Sequence, residues 1–151
     1  MQIKRHFAAT TYVVYNNKVL LHKHKKLGLW IPIGGHIDEN ELPEETAMRE
    51  IKEEFGLEVK LIWHDTIKQL SEDEQSQPRV KIINRPIHIL LEDLKDHQHI
   101  DLIYYAIAIS DKVTLEEGIS EYKWASEDDL EEMNLQQNVL LFSKEALHLS
   151  R

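Results

Sequence analysis

The sequence predicts an α/β (α+β) fold, in which strands alternate with a few helices. Three observations carry this prediction. Segments rich in β-branched and aromatic residues recur at Phe7 to Tyr15, Lys18 to His22, Leu57 to Thr66 and His99 to Ile109. Among them, Pro43 to Phe55 carries a helical repeat: Ala47, Met48, Ile51 and Phe55 fall within an arc of roughly 100°, a core-facing stripe. Near its end the chain has a second helical stretch, Asn138 to Leu149, with Val139, Leu140, Phe142, Ala146, Leu147 and Leu149 apolar. At 151 residues the chain is expected to form one domain, 1–151, able to bury its own core.

Each element has a local cause. Asn16-Asn17 joins the first two strands as a turn, because Asn tolerates left-handed dihedrals. His22-Lys23-His24-Lys25-Lys26 follows, either a solvated loop or a rim that meets substrate phosphates. Lys23 and Lys25 are therefore candidate substrate-binding residues. Pro32 holds Ile31 extended, and Gly34-Gly35 permit a close backbone approach. Trp30, in the same stretch, reads as scaffold rather than as a stacking platform.

Pro43 suits a first helical turn, Glu44 and Glu45 suit its positive end, and Gly56 suits its stop. Ile67 to Pro78 is polar and acidic and reads as a loop. Val80 to Leu91 reads as a strand interrupted or placed at an edge by Pro86, with a turn over Glu92 to Gln98. Ile119 to Trp124 reads as a last strand, and Ser126 as an N-cap followed by Glu127, Asp128 and Asp129. His97, His99 and Asp101 alternate, so a strand would put them on one face. Three readings of that trio stay open: a metal cluster, the polar lining of a substrate cleft (with His97 and His99 touching substrate), or surface histidines.

The chemistry concentrates on the Pro43 to Phe55 helix. Glu50, Glu53 and Glu54 share an arc beside the apolar stripe, and Arg49 stands i, i+4 to Glu53. Carboxylates so crowded repel one another unless a counter-charge sits among them. Such hard oxygen donors suit Mg²⁺ or Mn²⁺. The formal net charge of −9 argues against a nucleic-acid polymer as partner, because backbone binding needs a basic surface. A bound divalent ion would resolve the conflict between that charge and a phosphate ligand. With no cysteine, disulfides, thiolate chemistry and cysteine-ligated zinc are excluded. No apolar run reaches membrane-span length and no signal-peptide block precedes the first strand, so the expected location is cytoplasmic.

The stretch from Gly35 to Leu57 resembles the Nudix box, the signature of the Nudix hydrolase family. That pattern is Gly, five residues, Glu, seven residues, then Arg-Glu-aliphatic-any-Glu-Glu-any-Gly-aliphatic. Gly35, Glu41, Arg49, Glu50, Ile51, Glu53, Glu54, Gly56 and Leu57 meet every specified position. The approach Trp30-Ile31-Pro32-Ile33-Gly34-Gly35 is also similar to the family pattern. The resemblance implies a mixed, curved β-sheet sandwiched between helices. It also implies Mg²⁺-dependent hydrolysis (Mn²⁺ as substitute) of a nucleoside diphosphate linked to another moiety. It implies metal ligation by the Gly35 carbonyl, Glu50, Glu53 and Glu54, with Glu41 supporting the loop and metal shell.

Arg49 is then expected to orient a box glutamate, and Glu53 to act as general base or water positioner. Some members recruit a glutamate from outside the box, which leaves Glu72, Glu74, Glu116, Glu117 and Glu121 as alternatives. Subfamily motifs for ADP-ribose, diadenosine polyphosphate, NADH and coenzyme A are not found, so the expected substrate is a nucleoside triphosphate or a nucleotide sugar. The implied partners are that small nucleotide, or another diphosphate, and a second copy of the chain in a homodimer. The rival reading is a non-catalytic Nudix-fold binding or regulatory module. Isopentenyl diphosphate isomerase shares the fold but uses a cysteine, which this chain lacks.

Overall fold

A computed structural model describes residues 2–62 and 80–151. The predicted acidic loop Ile67 to Pro78 lies outside the described residues, as does the end of the strand predicted over Leu57 to Thr66. In chain order the elements are β1 (Arg5–Tyr15), β2 (Lys18–Lys23), β3 (Trp30–Ile31), β4 (Ile33–His36), α1 (Pro43–Phe55), β5 (Val59–Leu61), β6 (His88–Asp93), β7 (Gln98–Ala108), β8 (Tyr122–Ala125), α2 (Glu127–Glu132) and α3 (Gln137–Leu149).

The sheet is built around β1 and β7, which run parallel in register from Arg5 opposite Gln98 to Val14 opposite Ile107. Parallel neighbours cannot be joined by a hairpin, so α1 lies within the long crossover between them. On their outer edges both strands change partner midway. β1 pairs with β4 over Ala8–Thr11 and with β2 over Val13–Tyr15. β7 pairs with β6 over Gln98–Ile103 and with β5 over Ala106–Ala108. All these outer pairings are antiparallel, so the sheet is mixed. The β1–β2 turn uses Asn16 and Asn17 at φ 48° and 60°, the left-handed pair a two-residue hairpin requires.

Alternation along the central strands divides the core. Val13, Ala9, Tyr104 and Ala106 face Ala47, Ile51 and Phe55 of α1. Tyr12, Val14, Ile103 and Tyr105 face Val139, Ala146 and Leu147 of α3. The sheet is therefore covered on both sides, giving the α/β/α sandwich with a mixed sheet. Gly56 ends α1 at φ 67°, donating its N–H to the Lys52 carbonyl at 2.9 Å.

Three expectations change. Met48, placed on the core stripe by its angle, is 46 % exposed, while Thr46 is buried. The row Ala47, Ile51, Phe55 takes the sheet, and Thr46 flanks it because the preceding loop satisfies its hydroxyl through Glu41 at 2.6 Å. The strand predicted from Val80 begins only at His88, after Pro86. The last strand begins at Tyr122 rather than Ile119. A turn in which the Ile119 N–H donates to the Glu116 carbonyl precedes it, and pairing with β2 starts with His22 opposite Tyr122.

Candidate functional site

The loop between β4 and α1 brings the acidic helix against the sheet edge, and two adjacent glycines make the approach possible. A Cβ on Gly35 would lie inside the Glu50 carboxyl group, 2.6 Å from Cδ. A Cβ on Gly34 would lie 2.6 Å from the Thr10 hydroxyl and 2.9 Å from the Ala9 carbonyl. Each position therefore needs glycine for a different neighbour. Gly35 leaves bare main chain beside the α1 carboxylates, and Gly34 leaves Thr10 free to bond elsewhere.

Arg49 sits among four carboxylates. Its Nε and Nη2 donate to Glu41 at 2.7 and 3.0 Å, a two-pronged pair. Nη1 donates to Glu50 at 3.1 Å and Glu53 at 3.2 Å, and Nη2 lies 3.3 Å from Asp38. Glu41 also accepts from the Thr46 hydroxyl, so it ties loop to helix. The Arg49 hydrogen bond holds the Glu41 carboxyl down to about 2, and the same pair raises Arg49 above its ordinary range.

A carboxyl depressed from 4.5 to about 2 stabilises the fold fully above pH 4.5 and loses that contribution as pH falls through about 2. Glu41→Gln is expected to cost about 2 kcal/mol at pH 7, the scale of a hydrogen-bonded charge. Urea titrations of both proteins should show this gap narrowing below pH 4.5.

The other two carboxyls behave oppositely. Burial, and then its neighbours Glu50, Glu116 and Glu53, push Glu54 up to about 8. Burial also raises Glu50, against the pull of Arg49. Glu54 Oε2 is buried with no hydrogen-bond partner among the described residues. A buried acceptor of that kind is costly unless something cationic or protic satisfies it. Glu53 differs again, with its side chain 54 % exposed.

On the α3 side of the glycines lies a cleft of about 450 Å³, lined by Thr10, Gly34, Gly35, Glu92, Asp101 and Asn138 among others. Its floor is acidic. The Thr10 hydroxyl lies 2.8 Å from each Asp101 oxygen, and burial followed by Glu92 raises the Asp101 pKa. His99 lines this cleft with Asp101, and His97 lies 3.2 Å from His99. Lys23 and Lys25 are not among the cleft residues. Lys23 lies 3.6 Å from Glu121 and over the Trp30 ring, and both lysines line a separate cavity with His22 and Gly118. Of the alternative glutamates, Glu116 faces Glu54, Glu121 pairs with Lys23, and Glu72 and Glu74 lie outside the described residues.

A family model, the NUDIX domain, matches residues 4–143 of this 151-residue chain. The chain belongs to the Nudix hydrolase family. It is similar to a Nudix-family hydrolase from Clostridium perfringens at 41 % identity, covering 99 % of this chain and 100 % of that one, with a TM-score of 0.90. It shares the fold of a MutT protein from Methanosarcina mazei at 16 % identity, 100 % and 96 % coverage, and TM-score 0.68. An ADP-ribose pyrophosphatase from Streptococcus suis has the same fold at 19 % identity, 97 % and 92 % coverage, and TM-score 0.62. The chain is thus a Nudix pyrophosphohydrolase, a family that acts on small nucleotide substrates. No helix among the described residues is long and apolar enough to cross a membrane.

Apart from the specified positions of the Nudix box, sequence reasoning passed over Thr10, His36 and Glu92. Thr10 and Glu92 are ordinary strand residues until topology places them on one face. His36 carried a signal, since it directly follows Gly35.

Proposed function

We propose that this chain hydrolyses a pyrophosphate bond in a nucleoside triphosphate or nucleotide sugar, using Mg²⁺ held by the Gly35 carbonyl, Glu50, Glu53 and Glu54. The observation that carries the metal reading is Glu54 Oε2, a buried carboxylate oxygen with no partner among the described residues. The donor set is all hard oxygen, and the bare Gly35 main chain borders it, which fits Mg²⁺ or Mn²⁺. Bound there, the ion neutralises phosphate charge and acidifies water.

The protein's own side chains do the rest. Arg49 fixes Glu50 and Glu53 in place, so the carboxylates are preorganised before substrate arrives. Glu53, accessible and tethered by one hydrogen bond, is the general base or water positioner. The cleft beyond Gly34 holds the nucleoside, with Thr10 fixing the orientation of Asp101 on its floor.

A panel of nucleoside triphosphates and nucleotide sugars, assayed for released phosphate or nucleotide, tests this reading. Turnover is expected with Mg²⁺ or Mn²⁺, to vanish with EDTA, and to return on adding either ion back. Glu53→Gln is expected to lower kcat about 10²- to 10⁴-fold at saturating Mg²⁺. Tight binding of one compound without cleavage of any would instead establish the binding-module reading.

A further inference from the structure

Four histidines that the proposed reaction leaves unused meet where β4, β1 and β7 run side by side. His36 ends β4, His99 is the second residue of β7, His97 immediately precedes β7, and His6 stands opposite His99 in the parallel register. His36 Nε2 lies 2.9 Å from His99 Nε2, and His97 Nε2 lies 3.2 Å from His99 Nε2. One ring nitrogen from each of these three lies within 4.8 Å of the others. Nitrogens bound tetrahedrally at about 2.0–2.1 Å from a metal stand about 3.3 Å apart, close to the two separations from His99, so binding needs only His36 and His97 to draw together.

Proton counting shows why the cluster is incomplete as a hydrogen-bonded unit. Asp96 Oδ1 accepts from His97 Nδ1 at 2.7 Å, which puts the His97 proton there and leaves a lone pair on Nε2. His99 Nε2 faces two other Nε2 atoms, and a single proton on it serves only one neighbour well. Adding protons instead would gather positive charges in a half-buried spot. Neutral imidazoles with converging lone pairs are metal ligands. The Asp96–His97 pair is the outer carboxylate that orients such a ligand.

Asp101, the third member of the alternating trio, takes no part in this proton count: its carboxylate engages Thr10. His36, at the end of β4, brings the third ring against His99. His6 closes the side, its ring centroid 5.3 Å from those of His36 and His97. The cluster is reachable from solution, because His36 and His99 line the cleft beyond Gly34 and His6 and His36 line a neighbouring cavity.

We propose that His36, His97 and His99 bind a borderline divalent transition ion of the Zn²⁺ type, leaving a fourth position for water or a substrate oxygen. Imidazole nitrogen selects Zn²⁺ over Mg²⁺, so this site and the box carboxylates discriminate between ions by donor chemistry. The histidine site stands on its own geometry, whatever the identity of the substrate.

The test uses the untagged full-length protein and Co²⁺ as a visible probe, in excess Mg²⁺ to occupy the box. One equivalent of Co²⁺ is expected to remain after dialysis, with the absorption of a nitrogen-rich site, and Zn²⁺ is expected to displace it. Proton NMR of the Co²⁺-loaded protein should show strongly shifted exchangeable imidazole N–H signals, a readout that needs no variant. Asp96→Asn is expected to weaken Co²⁺ binding about tenfold by loosening His97. His99→Gln and His97→Gln should each weaken it at least as much. The double variant Glu50→Gln, Glu54→Gln should retain the ion. Retention by His99→Gln at wild-type affinity, loss in the box variant, or absence of shifted imidazole signals would each overturn the proposal.

Discussion

Glu54→Gln is expected to lower kcat/KM by about three orders of magnitude while leaving the fold intact or more stable in metal-free buffer. The two halves of that expectation have one cause. Glu54 lies against the core, and burial with three neighbouring acids lifts its pKa to about 8. In the unfolded chain it would ionise near 4.5. Between those values the unfolded state binds fewer protons, so this group makes stability fall as pH rises from 4.5 to about 8. Glutamine removes that slope because it never ionises.

A cation reverses the sign. It needs the ionised form, so binding below pH 8 should release a proton, and affinity should climb as pH rises toward that value. The measurements are thermal melts in EDTA at pH 5 and pH 8, and kcat/KM with Mg²⁺ at saturation. Wild type should melt lower at pH 8 than at pH 5 by more than the variant does. Near-native turnover by the Glu54→Gln enzyme would remove Glu54 from the metal site.

How much of this was readable beforehand differs by level. The helix Pro43–Phe55 was legible to the residue, because Pro43 and Gly56 punctuate it and the spacing of its charges is fixed by helical geometry. The two-sided core was implied by the family resemblance, and the structure gives its cause: β1 and β7 bury apolar residues on both faces, as strands covered on both sides must. Met48 was misplaced because an angular arc cannot tell which flank of a stripe meets the sheet. The Thr46 hydroxyl, satisfied by a loop glutamate, decided it.

The cleft and the histidine cluster were hidden for another reason. Thr10 and Asp101 are ninety-one positions apart and His36 and His99 sixty-three, and they meet through the parallel register of β1 with β7 and, for His36, the antiparallel pairing of β4 with β1. No local pattern encodes such a register. The alternation of His97 and His99 was visible, but not the strand that would supply His36.

Arg49 is where these levels meet, and its replacement tests them together. Arg49→Ala leaves Asp38, Glu41, Glu50 and Glu53 without the guanidinium that all four contact. Losing the charged hydrogen bonds of this part-buried network costs about 2–3 kcal/mol, with most of it from the Glu41 pair, since Glu53 and Asp38 are more than half exposed. The chemical denaturation midpoint should fall accordingly, and kcat should fall with it because Glu50 and Glu53 lose their anchor. KM should change little, since the guanidinium is fully engaged with protein carboxylates rather than turned to a ligand.

Arg49→Lys separates charge from shape. Lysine restores one positive charge but cannot donate a two-pronged pair to Glu41 while also reaching Glu50 and Glu53. It should therefore recover part of the lost stability and little of the lost kcat. Excess Mg²⁺ should stabilise the alanine variant more than wild type, because the ion then supplies the missing counter-charge as well as its own binding energy. If lysine instead restored turnover in full, point charge alone would be what the carboxylates require. The fork that ties loop, helix and the proposed metal ligands into one rigid unit would then have no part in catalysis.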